Sequence, residues 1–308
     1  MDTFLYFVGN DTFFAYSFAN PASPRRIGFC TDSGYVTTAT RNTAVLIQPN
    51  DVLGFVDVSD PAHPRQVGIW PAWPLAATAR GNLCCAAFAD PSNQFRSWFL
   101  TLDISNPASP RQIARLDSVC GFDIFLSETL AFVSGRDDAY EEFCVVNIAD
   151  STRPRRMGAC PVWNDNWAVW ADLQHNRAYI ASEPSGLAVV DITDLNAPYV
   201  DTCVMTADQA LDLWIDGDRA YVSDYRAGFR VLDVGDPTHP VELGGFDSLN
   251  ATVDAAVARD SFAFAGWWAP PYFRSFDVSN PGRPMPAGGA LVQTIPEDGV
   301  PPVAWTPR

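Results

Sequence analysis

Residues 102–114, LDISNPASPRQIA, place a strand-like start, an Asn-Pro turn and a second proline within thirteen residues. Close variants of this segment occur seven times, and their second prolines are Pro24, Pro64, Pro110, Pro154, Pro198, Pro240 and Pro284. Successive prolines are therefore 40 to 46 residues apart. A period in the low forties, with alternating β-branched segments and no apolar heptads, is typical of repeated β-sheets. The repeat predicts an all-β protein.

Each repeat contains enough short strands for one blade of a ring. Within the motif, Asn or Asp opens a turn by bonding its own backbone, and proline ends the strand ladder because it has no N–H group. The sixth unit, residues 210–237, adds two upstream strands joined by a tight DGD turn. Four short antiparallel strands per unit is the composition of a β-propeller blade. We therefore predict a seven-bladed β-propeller.

Two segments in particular, GLAVVDITD (186–194) and AYVSDYRAGFRVLDVGDP (220–237), resemble the LVIVD-repeat family of β-propellers. The resemblance extends along essentially the whole chain. It implies the propeller fold and little about function, because the family is widespread in bacteria, archaea and some fungi, often on surface proteins, and usually has no assigned activity. Only the fold is carried over from the resemblance.

The two ends of the chain predict how the ring closes. Only two strands, FLYFVG and FFAYSF, precede the first motif, so blade one lacks its innermost strand. The tail GVPPVAWTPR follows a complete seventh blade, and we expect it to supply an inner strand that joins three N-terminal strands. Continuous repeats without a linker predict a single domain, 1–308. Its expected blades are 2–31 plus 299–308, 34–71, 75–117, 121–160, 166–204, 209–247 and 251–293.

Composition and charge limit the classes of partner. The formal net charge is −16, which argues against nucleic acid and anionic membranes, since both require clustered Lys and Arg. The chain has no run of eighteen apolar residues, and its seven cysteines, an odd number, form no disulfide framework. We therefore expect a soluble cytoplasmic protein. The acidity is explained either by solubility alone or by an acidic mouth that favours cationic or electron-poor ligands.

Familiar catalytic signatures are missing from the sequence. It contains no GxSxG, GxGxxG, Walker loop, HExxH, CxxC pair or EF-hand spacing. Strand counting places His63, His175 and His239 in turns at the end of the ring opposite the usual propeller mouth. A Ser-His-Asp triad and a histidine-based metal site at the mouth are thereby excluded, and we expect neither a metal nor a cofactor.

Carboxylates are the candidate catalytic groups. Counting eight residues back from the second strands of blades four, six and seven places Asp123, Asp212 and Asp254 at one inner-strand position. Three carboxyls at one radius would raise at least one pKa and leave a proton available for transfer. The alternative is that these residues only cap neighbouring backbone N–H groups. The aspartates of the repeated VDV segment are expected to be structural, pinning the turn or pairing with the following arginine.

Aromatic residues are concentrated in the loops that surround the predicted mouth. The candidate substrate-binding residues are Trp73, Trp163, Trp167, Tyr225, Arg226, Trp267, Trp268 and Tyr272. Such a set favours a cavity for a flat or apolar organic molecule, or for a cation over a ring face. A packed aromatic lid is the alternative.

Two classes of function are consistent with these features. One is a cofactor-free biosynthetic enzyme that binds a small apolar or aromatic molecule and catalyses dehydration, isomerisation, cyclisation or cycloaddition, as a lyase, isomerase or cyclase. The other is a non-enzymatic scaffold whose acidic face and aromatics bind a protein partner. A deep channel pocket would favour the enzyme, and a flat apolar patch on the rim or outer strands would favour the scaffold.

Overall fold

The structure, a computed structural model, is built entirely of β-strands in its described part. It describes residues 4–9, 12–20, 23–31, 34–49, 51–90, 93–119, 121–136, 141–162, 165–183, 186–247, 253–259, 261–267, 272–290 and 303–305. These residues form 28 strands in seven four-stranded sheets, and every strand pair is antiparallel. Within the same residues no helix is long and apolar enough to cross a membrane. The predicted seven-bladed β-propeller is confirmed.

The strands follow one another from the inside of each blade to the outside. Blade one contains β28 (Val303–Trp305), β1 (Phe4–Gly9), β2 (Thr12–Ser17) and β3 (Arg25–Cys30). Blade two contains β4 (Tyr35–Ala39), β5 (Thr43–Gln48), β6 (Val52–Asp57) and β7 (Arg65–Pro71). Blade three contains β8 (Pro74–Arg80), β9 (Leu83–Asp90), β10 (Asn93–Asp103) and β11 (Arg111–Asp117). Blade four contains β12 (Asp123–Leu126), β13 (Leu130–Arg136), β14 (Glu141–Asn147) and β15 (Arg155–Pro161).

The remaining blades repeat this order. Blade five contains β16 (Asp165–Asp172), β17 (Arg177–Glu183), β18 (Gly186–Asp191) and β19 (Tyr199–Val204). Blade six contains β20 (Asp212–Asp216), β21 (Arg219–Asp224), β22 (Gly228–Asp233) and β23 (Val241–Phe246). Blade seven contains β24 (Val253–Arg259), β25 (Phe262–Trp267), β26 (Tyr272–Asp277) and β27 (Met285–Ala290).

Ring closure follows the arrangement that the sequence predicted. The C-terminal strand β28 pairs antiparallel with β1, with Trp305 opposite Leu5. It also lies against β4 of blade two. One C-terminal strand and three N-terminal strands therefore make up blade one, and the first and last parts of the chain are held in a single sheet.

The core consists of separate apolar layers between neighbouring blades. Middle strands are buried on both faces, as in β18, whose six residues are all buried, whereas the outer strand β19 alternates between exposed and partly buried residues. Between blades four and five, Phe132 and Ile180 belong to one cluster. Burial of both faces of the middle strands accounts for their continuous apolar sequences.

The repeated motif forms a tight turn that its aspartate caps. Asp103 Oδ1 accepts a hydrogen bond from the Ser105 N–H at 2.9 Å, and Asp103 Oδ2 pairs with Arg111 at 2.5 Å. These contacts, first the hydrogen bonds from Ser105 and then Arg111, lower the pKa of Asp103 to about 2. Asp57 makes the same contacts with Ser59 and Arg65. The structural role predicted for these aspartates is confirmed.

In several repeats a glycine follows the motif's second proline by four residues, and packing between blades explains why it recurs there. A Cβ atom on Gly28 would overlap the carbonyl oxygen of Pro61, and one on Gly68 would overlap that of Pro107. In both cases the glycine lies on an outer strand and the carbonyl belongs to the turn of the next blade. Because glycine has no side chain, the backbone of an outer strand can lie in direct contact with the backbone of the next blade's turn.

Candidate functional site

Two of the three candidate catalytic aspartates occupy equivalent positions in the ring. Asp123 is the first residue of β12 and lies opposite Ser134, while Asp212 is the first residue of β20 and lies opposite Ser223. Both are therefore at the end of the ring where the inner strands begin, here called the mouth. The blade that separates them has Ala168, opposite Ala181, at the same register position.

Asp254 does not share that position, contrary to the count made on the sequence. In blade seven, Val253 pairs with Trp267 and Ala255 pairs with Gly266, so Asp254 falls in a β-bulge between the two pairs. A bulge adds one residue to one strand without a partner on the other. Ala255 is consequently the register equivalent of Asp123, and the expected triad of carboxyls at one radius is reduced to two.

Asp123 is the more unusual of the two remaining carboxyls. It lies deep in the ring, although part of the residue's surface still reaches solvent, as expected on the wall of a channel. Its Oδ2 accepts a hydrogen bond from the Val169 N–H in β16 at 2.9 Å. Burial raises the pKa of Asp123 to about 6, against the opposing effect of hydrogen bonds from the Val169 and Ile124 N–H groups. A carboxyl with this pKa can both donate and accept a proton near neutral pH.

Asp212 also bonds to a backbone N–H group, that of the next residue in its strand. Its Oδ1 accepts a hydrogen bond from the Leu213 N–H at 2.9 Å. Both carboxyls therefore cap backbone N–H groups, as the second interpretation of the sequence predicted. The partner of Asp123, Val169, belongs to the neighbouring blade, so this hydrogen bond joins blades four and five.

An arc of aromatic side chains lies one layer below these carboxyls. Phe125, Trp170 and Trp214 occupy the same register position in the inner strands of blades four, five and six. The ring centroids of Phe125 and Trp170 are 4.9 Å apart, and those of Trp170 and Trp214 are 4.5 Å apart. Because alternate residues of a strand share a face, Phe125 follows Asp123, and Trp214 follows Asp212, on the same side of its strand. We call these three side chains the aromatic arc.

The aromatic arc was not predicted from the sequence, because the candidate aromatic residues were those of the loops. The signal that identifies it is the two-residue spacing from aspartate to aromatic residue, DIF at 123–125 and DLW at 212–214. In a strand this spacing puts both side chains on one face.

Above the carboxyls, Trp167 forms part of the mouth. It lies in the bulge of β16, is 38% exposed and stacks on Phe122 of blade four with ring centroids 5.5 Å apart. Its Nε1 donates a hydrogen bond to Glu183 Oε2 at 3.2 Å. Trp73, in contrast, precedes β8 of blade three and is 48% exposed.

Tyr225 and Arg226 lie at the mouth of blade six, on a turn held by a buried carboxylate. Arg226 Cζ lies 5.3 Å from the centroid of the Tyr225 ring, and Tyr225 has a left-handed backbone with φ of 39°. The preceding residue, Asp224, is completely buried and accepts hydrogen bonds from Thr206 Oγ1 at 2.6 Å and the Ala207 N–H at 3.0 Å. The turn is thereby tied to the loop that leads to Asp212.

For the other candidate residues of the mouth, the structure describes the backbone of some and nothing of the rest. Trp163 and Trp268 lie outside the described residues. For Asp254, Trp267 and Tyr272 the backbone is described, and Trp267 pairs with Tyr272 across the β25–β26 hairpin.

The histidines lie where strand counting predicted. His63, His175 and His239 each bond through Nδ1 to the aspartate three residues earlier, within turns. The turn that contains His175 joins the end of β16 to β17, so it lies at the end of the ring opposite the mouth. Among the described residues, no group of three His, Cys, Asp or Glu side chains could hold a metal ion.

Comparisons with known proteins agree with this architecture. The LVIVD repeat model matches residues 50–70, 97–117, 172–206 and 207–248. A comparison with curated proteins found no match. Among solved structures, a functionally unknown protein from Desulfotomaculum acetoxidans is similar, with a TM-score of 0.75, 12% identity and coverage of 99% of each chain. A provisionally assigned 6-phosphogluconolactonase from Bacteroides uniformis has a TM-score of 0.74 at 12% identity, again over 99% of each chain.

At such low identity these likenesses show the fold alone. The repeat model matches inside blades two, three, five and six, and the sheets show the same unit around the whole ring. The chain is a seven-bladed β-propeller that contains LVIVD repeats in blades two, three, five and six.

Proposed function

We propose that this propeller binds a small flat organic molecule at the mouth of blades four to six and acts on it as a cofactor-free acid–base enzyme. The observation that carries the proposal is the position of Asp123, whose carboxyl has a raised pKa of about 6 and lies one layer above the aromatic arc. Aromatic faces hold a planar ligand, and an enclosed carboxyl can transfer a proton to or from it. Dehydration, isomerisation, cyclisation and cycloaddition are the reaction types that need no more than this.

The charge of the chain favours a cationic or electron-poor ligand. A chain with a net charge of −16 attracts cations, and indole faces such as that of Trp170 bind them. The same charge disfavours a phosphorylated sugar, so the likeness to the 6-phosphogluconolactonase supports no lactonase proposal.

Binding of proflavine, a flat aromatic cation, tests the proposal on the full chain. We expect fluorescence titration to show saturable binding, and we expect Trp170→Ala to weaken it about fivefold or more, since one stacked ring contributes about 1–3 kcal/mol. Trp170→Phe keeps a ring in place and should retain most of the affinity. The matched control is Trp73→Ala, which removes an exposed tryptophan of blade three and should leave binding unchanged.

Proton linkage tests the role of Asp123 in the same assay. A cation should bind more tightly as the pH rises through about 6, because only ionised Asp123 attracts it, and Asp123→Asn should remove that step. Compounds that displace proflavine are then candidate substrates, and turnover of one of them should be lost in Asp123→Asn. Unchanged proflavine affinity in both Trp170→Ala and Asp123→Asn would rule out binding at this mouth.

A protein-binding scaffold is the second candidate, and exposed side chains on the outer strands favour it. Phe29 in β3 and Ile69 in β7 are 58% and 53% exposed and occupy the same register position in neighbouring blades. A scaffold that uses this surface should lose partner binding in a Phe29→Ser/Ile69→Ser variant, while proflavine binding is absent from the wild type. Saturable proflavine binding that the double variant leaves intact would favour the enzyme.

A further inference from the structure

The boundary between blades four and five contains two polar atoms without a hydrogen-bond partner among the described residues. They are Ser134 Oγ in β13 and Asn166 Oδ1 in β16, and both residues are completely buried. Most buried polar atoms in folded proteins are paired, so each exception requires an explanation. Two exceptions at one blade boundary point to a ligand group or ordered water that pairs with them.

Strand register shows that the Ser134 side chain faces blade five. Ser134 lies directly opposite Asp123, and side chains of directly opposed residues stand on the same face of a sheet. Asp123 accepts its hydrogen bond from Val169 of blade five, so this face is turned toward blade five. The strand that carries Ser134, β13, lies against β16.

The same reasoning shows that Asn166 faces blade four. Ala181 in β17 packs in one cluster with Leu213 of blade six, so the next residue, Ser182, points the other way, toward blade four. Asn166 is paired with Ser182 and shares its face. Its Nδ2 donates to the Val162 carbonyl oxygen at 3.2 Å, which fixes the amide and leaves Oδ1 as an unused acceptor.

The stack between Phe122 and Trp167 covers this boundary on the solvent side. Phe122 immediately precedes Asp123, and Trp167 immediately follows Asn166. Because Trp167 is 38% exposed, the covering contact is a ring pair at the surface. Since Ser134 Oγ and Asn166 Oδ1 are buried, a ligand would have to displace this ring pair to reach them.

We propose that Asp123, Ser134 and Asn166 form a niche for the ammonium group of a small aromatic amine. The inference rests on the proposed function and names its substrate class. An ammonium group has three donors and no acceptor, the Asn166 Oδ1 atom and the Asp123 carboxylate only accept, and the Ser134 hydroxyl can turn its lone pairs to the ligand. The aromatic ring of the ligand then lies toward the Phe122–Trp167 stack, where a flat ring is bound on its face.

Four probes with one ring and different head groups test the niche on the full chain. They are 2-phenylethylamine, 2-phenylethanol, ethylbenzene and phenylacetate, measured by calorimetric titration beside proflavine. We expect the amine to bind best, the alcohol next, and phenylacetate least because of its negative charge. Ser134→Ala should weaken the amine about tenfold, the loss expected for one hydrogen bond to a charged group, and should leave ethylbenzene unchanged.

Ser223→Ala is the matched control. Ser223 occupies the position of Ser134 in blade six, lies opposite Asp212, is completely buried and also has an unpaired Oγ in the described structure. Both substitutions remove an unpaired hydroxyl and should leave the melting temperature unchanged or slightly higher, so folding does not obscure the result. Only Ser134→Ala should reduce amine binding.

The outcomes separate this inference from the function on which it rests. An unchanged preference for amine over ethylbenzene in Ser134→Ala overturns the niche, as does an equal loss in Ser223→Ala. Proflavine binding that persists in those experiments keeps the proposed function while the niche fails. If neither proflavine nor any of the four probes binds the wild type, both proposals fail together.

Discussion

Gly244 in the outer strand of blade six contacts Gly282 in the turn of blade seven, and only one of the two positions has space for a side chain. A Cβ atom on Gly244 would lie 2.5 Å from the Gly282 carbonyl oxygen, whereas a Cβ atom on Gly282 would meet nothing closer than 3.4 Å. One side of this contact between blades therefore has no space for a methyl group, and the other has ordinary van der Waals clearance.

Alanine at these two glycines should have opposite consequences. We expect Gly244→Ala to lower the free energy of unfolding by about 1–3 kcal/mol, because backbone must shift to admit the methyl group. Gly282→Ala should be neutral or slightly stabilising, since alanine has less backbone freedom to lose on folding. Urea denaturation of the two variants measures the difference, and equal midpoints would contradict the crowded contact.

The pKa of Asp123 should appear in the pH dependence of stability. Its pKa is raised from 3.8 to about 6 on folding, so its contribution is fully present below about pH 4 and is lost as the pH rises through about 6. The loss corresponds to about 2–3 kcal/mol. In Asp123→Asn, whose amide oxygen can still accept from Val169, that loss should be absent when unfolding is measured between pH 4 and 8.

Asp103→Asn provides the control of opposite sign. The pKa of Asp103 is lowered to about 2, chiefly by hydrogen bonds from Ser105 and then by Arg111, so its contribution is present above about pH 4 and is lost as the pH falls toward 2. If Asp123→Asn and Asp103→Asn changed the pH profile in the same direction, the raised pKa of Asp123 would be wrong.

Removal of the closing strand should weaken the whole ring. Deletion of residues 299–308 removes β28, exposes the edge of β1 and takes away the contact with β4. We expect a sharp fall in melting temperature, and deletion of 306–308 alone, which keeps β28, should have little effect. A melting curve unaltered by the longer deletion would show that closure does not depend on this strand.

The buried carboxylate of Asp224 should hold the loop before Asp212 in place. Asp224→Asn breaks an ion pair with Arg230, whose Nε lies 3.5 Å from Asp224 Oδ2, and weakens the hydrogen bonds to Thr206 and Ala207. We expect about 1–3 kcal/mol of destabilisation, since the Thr206 and Ala207 donors lose a charged acceptor while Arg230 keeps its pair with Asp247. Hydrogen exchange in residues 205–211 should accelerate.

Asp247→Asn is the control for that change. Asp247 also pairs with Arg230, at 2.8 Å, but its side chain is 75% exposed. An exposed partner contributes at most about 1 kcal/mol. Comparable destabilisation by the two substitutions would show that burial of Asp224 is not what makes it important.

The sequence was sufficient to predict the ring because the determining features are local and repeated. Each motif carries its own turn, cap and proline, and the C-terminal tail supplies a partner for the inner edge of the FLYFVG strand. Pairing of β28 with β1 confirmed this reasoning.

The mouth was less predictable because its geometry depends on single-residue irregularities. The bulges in β16 and β24 add one residue to the inner strand, which moves Asp254 out of register with Asp123 and turns Trp167 outward. Nothing in the spacing of the repeats reveals such an insertion. The pKa of Asp123 likewise depends on how deeply the neighbouring blade encloses it.

The fit between an outer-strand glycine and the next turn also determines which blades are interchangeable. Where a glycine faces a turn, as at Gly28, Gly68 and Gly244, each blade makes the same close backbone contact with the next, so one such blade could replace another at that contact. Ala114 and Thr202 stand in place of this glycine in blades three and five. The Cβ atoms of Ala114 and Thr202 exclude that close contact at the two junctions that flank blades four and five, so the blades that hold Asp123 and Asn166 would not accept a blade from elsewhere in the ring in the same way.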